Sequence, residues 1–410
     1  MAARDTEGPV TERQSIIEAY WRASAENVRA ALATVVRVEG SAYRRPGARM
    51  VITETGRTSG VVSGGCLEGD VQERAVRVMR TGNSTLVKYD TTADDETVWG
   101  LGLGCNGIVH VLIEPASDHT DHLVRFLDAC SKGQDRAAFA TVIRSEGVAE
   151  VALGTRLFLY PDGISESDAD LPERIMQQIL TDLHAAVRSG VSSVTHFGAD
   201  AAVEIFIEVV EPQVPLVIFG AGADAVPLVE MARQLGWHTT VVDTHARSRS
   251  LERFANVDAV ILCRPEEVSA RVTLTESTAV VLMTHNYFHD LEVLKVLFNN
   301  PARYVGCLGP RRRTERLLSE LPCAPVALGK SSLGRLHAPV GMDLGAESPS
   351  EIALSIAAEI LAVLRERSGG PLHGRRGSIH GDAPAHAPKK WAPVAAISSG
   401  TRIGCLAPGA

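Results

Sequence analysis

The chain has 410 residues, a formal net charge of −8, 45% hydrophobic residues and a mean hydropathy of +0.04, enough for two or three domains with substantial cores. The acidic balance argues against a nucleic-acid partner, and no run approaches the roughly 18 apolar residues of a membrane helix. MAARDTEGPVTERQ at the N-terminus lacks a signal-type apolar core, so a cytoplasmic protein with no membrane partner is expected. Seven scattered cysteines, Cys66, Cys105, Cys130, Cys263, Cys307, Cys323 and Cys405, show no zinc-type spacing and no even disulfide framework, so reduced thiols are expected.

Residues 1–14 are expected to be flexible, and 15–212 read as one α+β domain built from two related halves, about 30–118 and 137–212. ATVVRVEGSA at 33–42 returns as ATVIRSEGVA at 140–149, displaced by 107 residues. At the same offset Gly47 meets Gly154, Arg49 meets Arg156 and Gly56 meets Gly163. Each half reads as a β-branched strand, a glycine turn, a second strand, a helix, and a closing strand that ends in Glu-Pro, at Glu114-Pro115 and Glu211-Pro212.

The halves differ where chemistry is most expected. SAYRRPG, SGGCLEGD and GLGLGCNG in the first stand against VAEVALG, SDADLPER and FGADAAVE in the second. The second half forms its strand, turn and helix without Gly65, Cys66 or Cys105, so the local fold does not require them. Cys66 falls at a strand end just ahead of a helix, where unpaired amides and the positive end of the helix dipole favour a thiolate or a bound anion. Glu68 and Asp70 oppose a thiolate, and Arg44, Arg45 and Arg49 offset them if their loop folds over the turn. Gly64 and Gly65 permit positive φ and a close ligand approach. GLGLGCNG, with Cys105, adds a second glycine loop, and the two loops together read as a cradle with two thiols. A reading of both cysteines as small buried apolar groups stays open.

Residues 213–367 read as a Rossmann-like, doubly wound domain. VPLVIFG leads into the turn Gly220-Ala221-Gly222-Ala223-Asp224-Ala225 and a helix, and HTTVVD ends in Asp243 about 20 residues on, as a dinucleotide fingerprint expects. Later strands end near Cys263, at Thr284-His285-Asn286, and at Gly309-Pro310-Arg311-Arg312-Arg313. His285, Asn286, Arg311 and Arg312 are therefore candidates for holding an anionic ligand at the carboxyl edge of the sheet. Ser348-Pro349-Ser350-Glu351 starts a capped final helix, and 368–410, rich in Gly, Pro, His and Ala, is expected to be disordered.

These motifs, GSAYRRPGARM, SGGCLEGDV, GLGLGCNG, FGAGADAVPL, VVLMTHN, YVGCLGPRRRTERL and PVGMDLGAESPSEIALSIAAEI, together resemble the xanthine dehydrogenase accessory proteins, the XdhC/CoxI family, from about residue 20 to 367. Ala223-Asp224 departs from the histidine expected after GAG. The resemblance implies a cofactor chaperone that binds molybdenum cofactor, as molybdopterin or its dinucleotide form, and supports its sulfuration by a cysteine desulfurase. Delivery would be to a molybdenum hydroxylase of the xanthine dehydrogenase, aldehyde oxidase or CO dehydrogenase type. It implies Cys66 and Cys105 as metal ligands. Gly64, Gly65, Gly220, Gly222, Asp243, His285, Asn286, Arg311 and Arg312 are implied cofactor contacts, with the cofactor expected between the domains. The alternatives are an NAD(P)-dependent oxidoreductase with Asp243 on the ribose and His285 as acid/base, and a structural assembly factor with a vestigial ligand site. Oligomeric state is open, a homodimer included.

Overall fold

The computed structural model describes residues 11–91, 107–131, 133–146, 151–197, 203–244, 252–254, 257–321 and 334–374. Contacts divide the chain into two units, Met1–Gln213 and Val214–Ala410. Among the described residues, no helix is long and apolar enough to cross a membrane.

Unit 1 opens with α1 (Glu12–Ala25), three residues inside the stretch expected to be flexible. A capping box fixes that start: Thr11 Oγ1 accepts from the Gln14 amide, and the Gln14 side chain accepts from the Thr11 amide. The first half then runs β1 (Ala30–Gly40), β2 (Arg49–Thr53), β3 (Thr58–Gly60), α2 (Glu68–Thr81), β4 (Thr85–Asp90) and β5 (Gly107–Pro115). After α3 (Asp118–Ser131), the second half repeats the plan with β6 (Ala137–Ser145), β7 (Arg156–Leu159), β8 (Ser165–Ser167), α4 (Glu173–Ser189), β9 (Ser193–Phe197) and β10 (Val203–Val210).

The internal duplication is explicit in the sheets. One has the order β3-β2-β1-β5-β4 and the other β8-β7-β6-β10-β9, antiparallel throughout. Both ladders slip by one residue at matching places, at Val36 on β1 and at Ile143 on β6. Alternating side chains of β1 serve two cores. Ala31, Ala33 and Val35 pack with Val71, Ala75 and Val78 of α2, and the second sheet packs in the same way on Ile179, Leu183 and Ala186 of α4. The slipped residues Val36 and Ile143 join Leu112 and Phe206 in a cluster shared by the two sheets. α1 and α3 close a further core over Leu32, Val51, Phe139 and Phe158.

The register corrects one detail of the sequence alignment. Glu114 stands opposite Leu32, and Glu208 stands opposite Phe139, the residue 107 positions after Leu32. Glu208, and not Glu211, is therefore the counterpart of Glu114. The matched residues form a reciprocal pair of buried ion pairs. Arg49 Nη1 and Nη2 donate to Glu208 at 2.9 and 2.6 Å, and Arg156 Nη2 donates to Glu114. Each arginine also donates to a carbonyl two residues back, Gly47 O at 2.8 Å and Gly154 O at 3.0 Å.

Unit 2 contains β11 (Pro215–Phe219), α5 (Ala225–Gln234), β12 (His238–Asp243), β13 (Ala259–Leu262), the short α6 (Val268–Arg271), β14 (Ala279–Leu282), α7 (Tyr287–Phe298), β15 (Tyr304–Cys307), α8 (Arg311–Ser319), β16 (Leu336–His337) and α9 (Pro349–Leu364). Its sheet has the order β13-β12-β11-β14-β15-β16 with every pairing parallel. That is the doubly wound order, which reverses direction between β11 and β14. α9 starts at the expected Ser348 box, and its Ala353, Ile356, Ala357 and Ile360 pack with Leu228 and Ala232 of α5. Of the tail expected to be disordered from 368, residues 368–374 are described and end in a 3₁₀ turn at Leu372–Gly374; the rest lies outside the described residues.

Candidate functional site

Two groups of candidate residues can be placed, one in each unit. In unit 1, Cys66 lies in the turn between β3 and α2, two residues before the first helical position. The turn is organised by Ser63, whose hydroxyl oxygen accepts from the amides of Gly65 and Leu67, each at 3.1 Å, and lies 3.5 Å from Cys66 Sγ. The same hydroxyl donates to Glu68 Oε2, and the Ser63 amide donates to Glu68 Oε1 at 2.8 Å. Gly65 sits at φ 110°, with nothing within 4 Å of where a Cβ would stand, so its backbone is bare on that side. Tyr43, 66% exposed, comes from the loop after β1 to lie over Gly64.

The acids beside Cys66 are engaged. Burial works to raise the Glu68 carboxyl, but the hydrogen bonds from Ser63 outweigh it and hold the group below its ordinary value. Asp70 is likewise opposed by burial and held low by Arg74 and Tyr89, whose guanidinium and hydroxyl both donate to Oδ2. Two of the three arginines expected to offset these acids are committed elsewhere: Arg49 to Glu208 and Arg44 to Glu12. Four described cysteines are free, and only Cys66 is not buried. Burial pushes the Cys130 thiol up to about 11, the Cys307 thiol up to about 12 and the Cys263 thiol above its ordinary value. Cys105 and its glycine loop lie outside the described residues.

The turn that holds Cys66 is also longer than its counterpart. Seven residues, 61–67, join β3 to α2, and five, 168–172, join β8 to α4. The second half therefore builds the same connection two residues shorter, which sharpens the comparison: the first half carries extra backbone as well as a thiol.

In unit 2, Gly220, Asp243 and His285 fall at the carboxyl ends of β11, β12 and β14. Gly220, at φ 121°, is required by packing, since a Cβ there would stand 2.3 Å from the Met283 carbonyl oxygen. Asp243 is 4% exposed. His285 has a positive φ of 56°, and its Nε2 is bonded to Asp224 Oδ2 at 2.6 Å. Asn286 serves as the N-cap of α7, its side-chain oxygen accepting from the Phe288 and His289 amides at 3.0 and 3.3 Å. Arg311 and Arg312 are exposed in the first turn of α8, while Arg313 is tied to the buried Asp290 at 2.5 Å. Arg253 was not among the sequence candidates. Its Nη1 donates to the Ala221 carbonyl at 3.0 Å and brings a cation to the glycine turn. No motif marks it. Among the described residues, no group of three or more His, Cys, Asp or Glu forms a metal cluster.

Comparison with known proteins now decides the family. The XdhC Rossmann domain family matches residues 216–360, and the XdhC and CoxI family matches residues 23–90. A Bacillus subtilis protein, described as a probable subunit of xanthine dehydrogenase, is 36% identical over 333 residues, 81% of this chain and 92% of its own length. This chain belongs to the XdhC and CoxI family. The Escherichia coli protein PaoD, described as a molybdenum cofactor insertion chaperone, is 24% identical over 334 residues, covering 82% of this chain and 83% of PaoD. A solved structure from Bacillus halodurans, described as a xanthine dehydrogenase, superposes with a TM-score of 0.68 at 29% identity, covering 87% of this chain and 98% of the other.

Proposed function

We propose that this chain is an accessory chaperone that binds molybdenum cofactor, supports its sulfuration and inserts it into a molybdenum hydroxylase of the xanthine dehydrogenase type. One observation carries the reading: a relative described as a molybdenum cofactor insertion chaperone aligns along both units, covering 82% of the chain. Its partners in this role are the hydroxylase and a cysteine desulfurase.

The residues fit such a cargo. Cys66 is a half-buried thiol on a turn whose Gly65 backbone is open, and a thiolate is a soft ligand suited to a thiophilic metal. In unit 2, the glycine turn at Gly220, with Arg253 on its Ala221 carbonyl, and Arg311 and Arg312 in the first turn of α8 supply backbone amides and cationic side chains of the kind that hold a phosphate. When bound, the cofactor supplies the metal–sulfur chemistry of the target enzyme. The chain's own part is to carry the cofactor and release it to the hydroxylase. Asn286 contributes by fixing the start of α7 beside His285.

The test is isolation of the protein from cells that make the cofactor, with pterin fluorescence and molybdenum content measured per chain. Both are expected to approach one per chain, and a cofactor-free hydroxylase should gain activity when mixed with the loaded protein. Cys66→Ala should lower that gain tenfold or more. Absence of pterin and molybdenum, or unchanged activation by Cys66→Ala with unchanged cofactor content, would overturn the assignment.

A further inference from the structure

In a dinucleotide fold the second glycine of the turn leaves backbone bare so that a diphosphate can lie against it. In this chain that approach is already taken. A Cβ on Gly222 would stand 2.5 Å from Asp224 Oδ1, so the carboxylate lies over the stretch of backbone that a diphosphate uses. Asp224 is the N-cap residue of α5 but makes no side-chain cap bond. Its partner is His285, at 2.6 Å, which reaches it from the end of β14 across the point where the strand order reverses. His285 holds a φ of 56°, a region that residues other than glycine seldom adopt. The carboxylate is thus fixed over the turn by a residue from another strand, and not by the needs of its own helix.

We propose that Asp224 is a specificity residue that closes the glycine turn to bare diphosphates, so that NAD and other dinucleotides without a bound cation are excluded. A fixed carboxylate at contact distance from two phosphate charges repels them, and the penalty grows as water is displaced. A ligand with a single phosphate need not lie against Gly222, and Arg253, on the Ala221 carbonyl, leaves a cation beside the turn. The inference rests on the reading of this strand edge as the ligand edge. It deepens that reading by selecting molybdopterin itself over its dinucleotide form.

The experiment is calorimetric titration of the full chain with NAD and with ADP-ribose, divalent cations removed, for the wild type, Asp224→Asn and Asp224→Ala. The wild type should show no saturable binding below about 1 mM, and both variants should bind at least about tenfold more tightly. Asp224→Asn keeps the shape and removes the charge. Micromolar binding by the wild type would overturn the proposal, as would a gain of less than tenfold in both variants or a gain in Asp224→Ala alone. Pterin content of the wild type, measured separately, tests the chaperone reading; its failure would leave the nucleotide result readable on its own.

Discussion

At the cysteine turn, the Ser63 hydroxyl accepts from two amides and donates to Glu68, so the carboxylate that looks repulsive in the sequence is part of the scaffold that shapes the loop. Cys66 is left as the half-buried thiol among three buried ones. Iodoacetamide applied to the native protein should therefore modify Cys66 at least tenfold faster than Cys130, Cys263 or Cys307, read by peptide mass spectrometry. Equal rates would remove the distinction. The position of Cys66 before a helix was legible because glycines and an amphipathic run flank it. The commitment of Arg44 and Arg49 was not legible, since their partners, Glu12 and Glu208, are distant in sequence. Asn286 followed the same pattern: an Asn ahead of an apolar helix fits a cap as well as a ligand contact, and its hydrogen bonds identify the cap.

At the scale of elements, the two sheets of unit 1 are locked by Arg49–Glu208 and Arg156–Glu114, all four side chains at most 10% exposed. Removing one member leaves an uncompensated buried charge. Glu208→Ala should lower the stability of unit 1 by about 3 kcal/mol, read as a shift in its urea midpoint. The double replacement Arg49→Met with Glu208→Leu should recover most of that loss, because a well-packed apolar pair removes the desolvation cost of both ions. The arginines were visible in the sequence repeat, since they keep the offset of 107 residues. Their carboxylates were hidden, because the repeated Glu-Pro at the strand ends suggests a different pairing from the one the ladder makes. Only hydrogen-bond register, with its slips at Val36 and Ile143, distinguishes them.

In unit 2 the corresponding polar element is Glu359 on α9. It accepts from Tyr304 at 2.5 Å and from the Gly341 amide at 2.8 Å, with His337 Nδ1 at 3.2 Å. Burial works against its ionisation, yet these partners hold the carboxyl below its ordinary value of 4.5. The unfolded chain therefore takes up the proton at higher pH than the folded one. The contribution is complete above the ordinary carboxylate range and is lost as pH falls through the depressed folded value. Glu359→Gln should flatten the fall in the urea midpoint of unit 2 between about pH 5 and pH 3. An unchanged slope would remove Glu359 as its source.

Over the whole molecule, each unit holds its own cores: the shared-sheet and helix-backed clusters of unit 1, and the two faces of the parallel sheet in unit 2. Residues 11–213 and 214–374, expressed separately, should each unfold cooperatively with a midpoint of its own. Loss of cooperativity in either piece would show that its core depends on the other. The change from an α+β unit to a doubly wound one was legible from pattern, because β-branched runs alternate with helical periods after Glu211-Pro212. The shape of the glycine turn was not, since the sequence shows Asp224 as one residue of a familiar motif and conceals its bond to His285.

The crossed ion pairs carry a consequence for how such a chain could arise. Each arginine is answered by the carboxylate of the opposite repeat, so that exchanging the repeats reproduces the contact. That is the signature of a two-fold, self-complementary interface. A single repeat, standing alone, would leave its arginine and its glutamate without these partners, whereas two copies about a dyad would satisfy both at once. The first unit thus has the internal logic of a homodimer whose two copies have been joined end to end. Within the joined unit the symmetry is broken at one place: one repeat carries a turn two residues longer, with a cysteine in it, and the other the shorter connection.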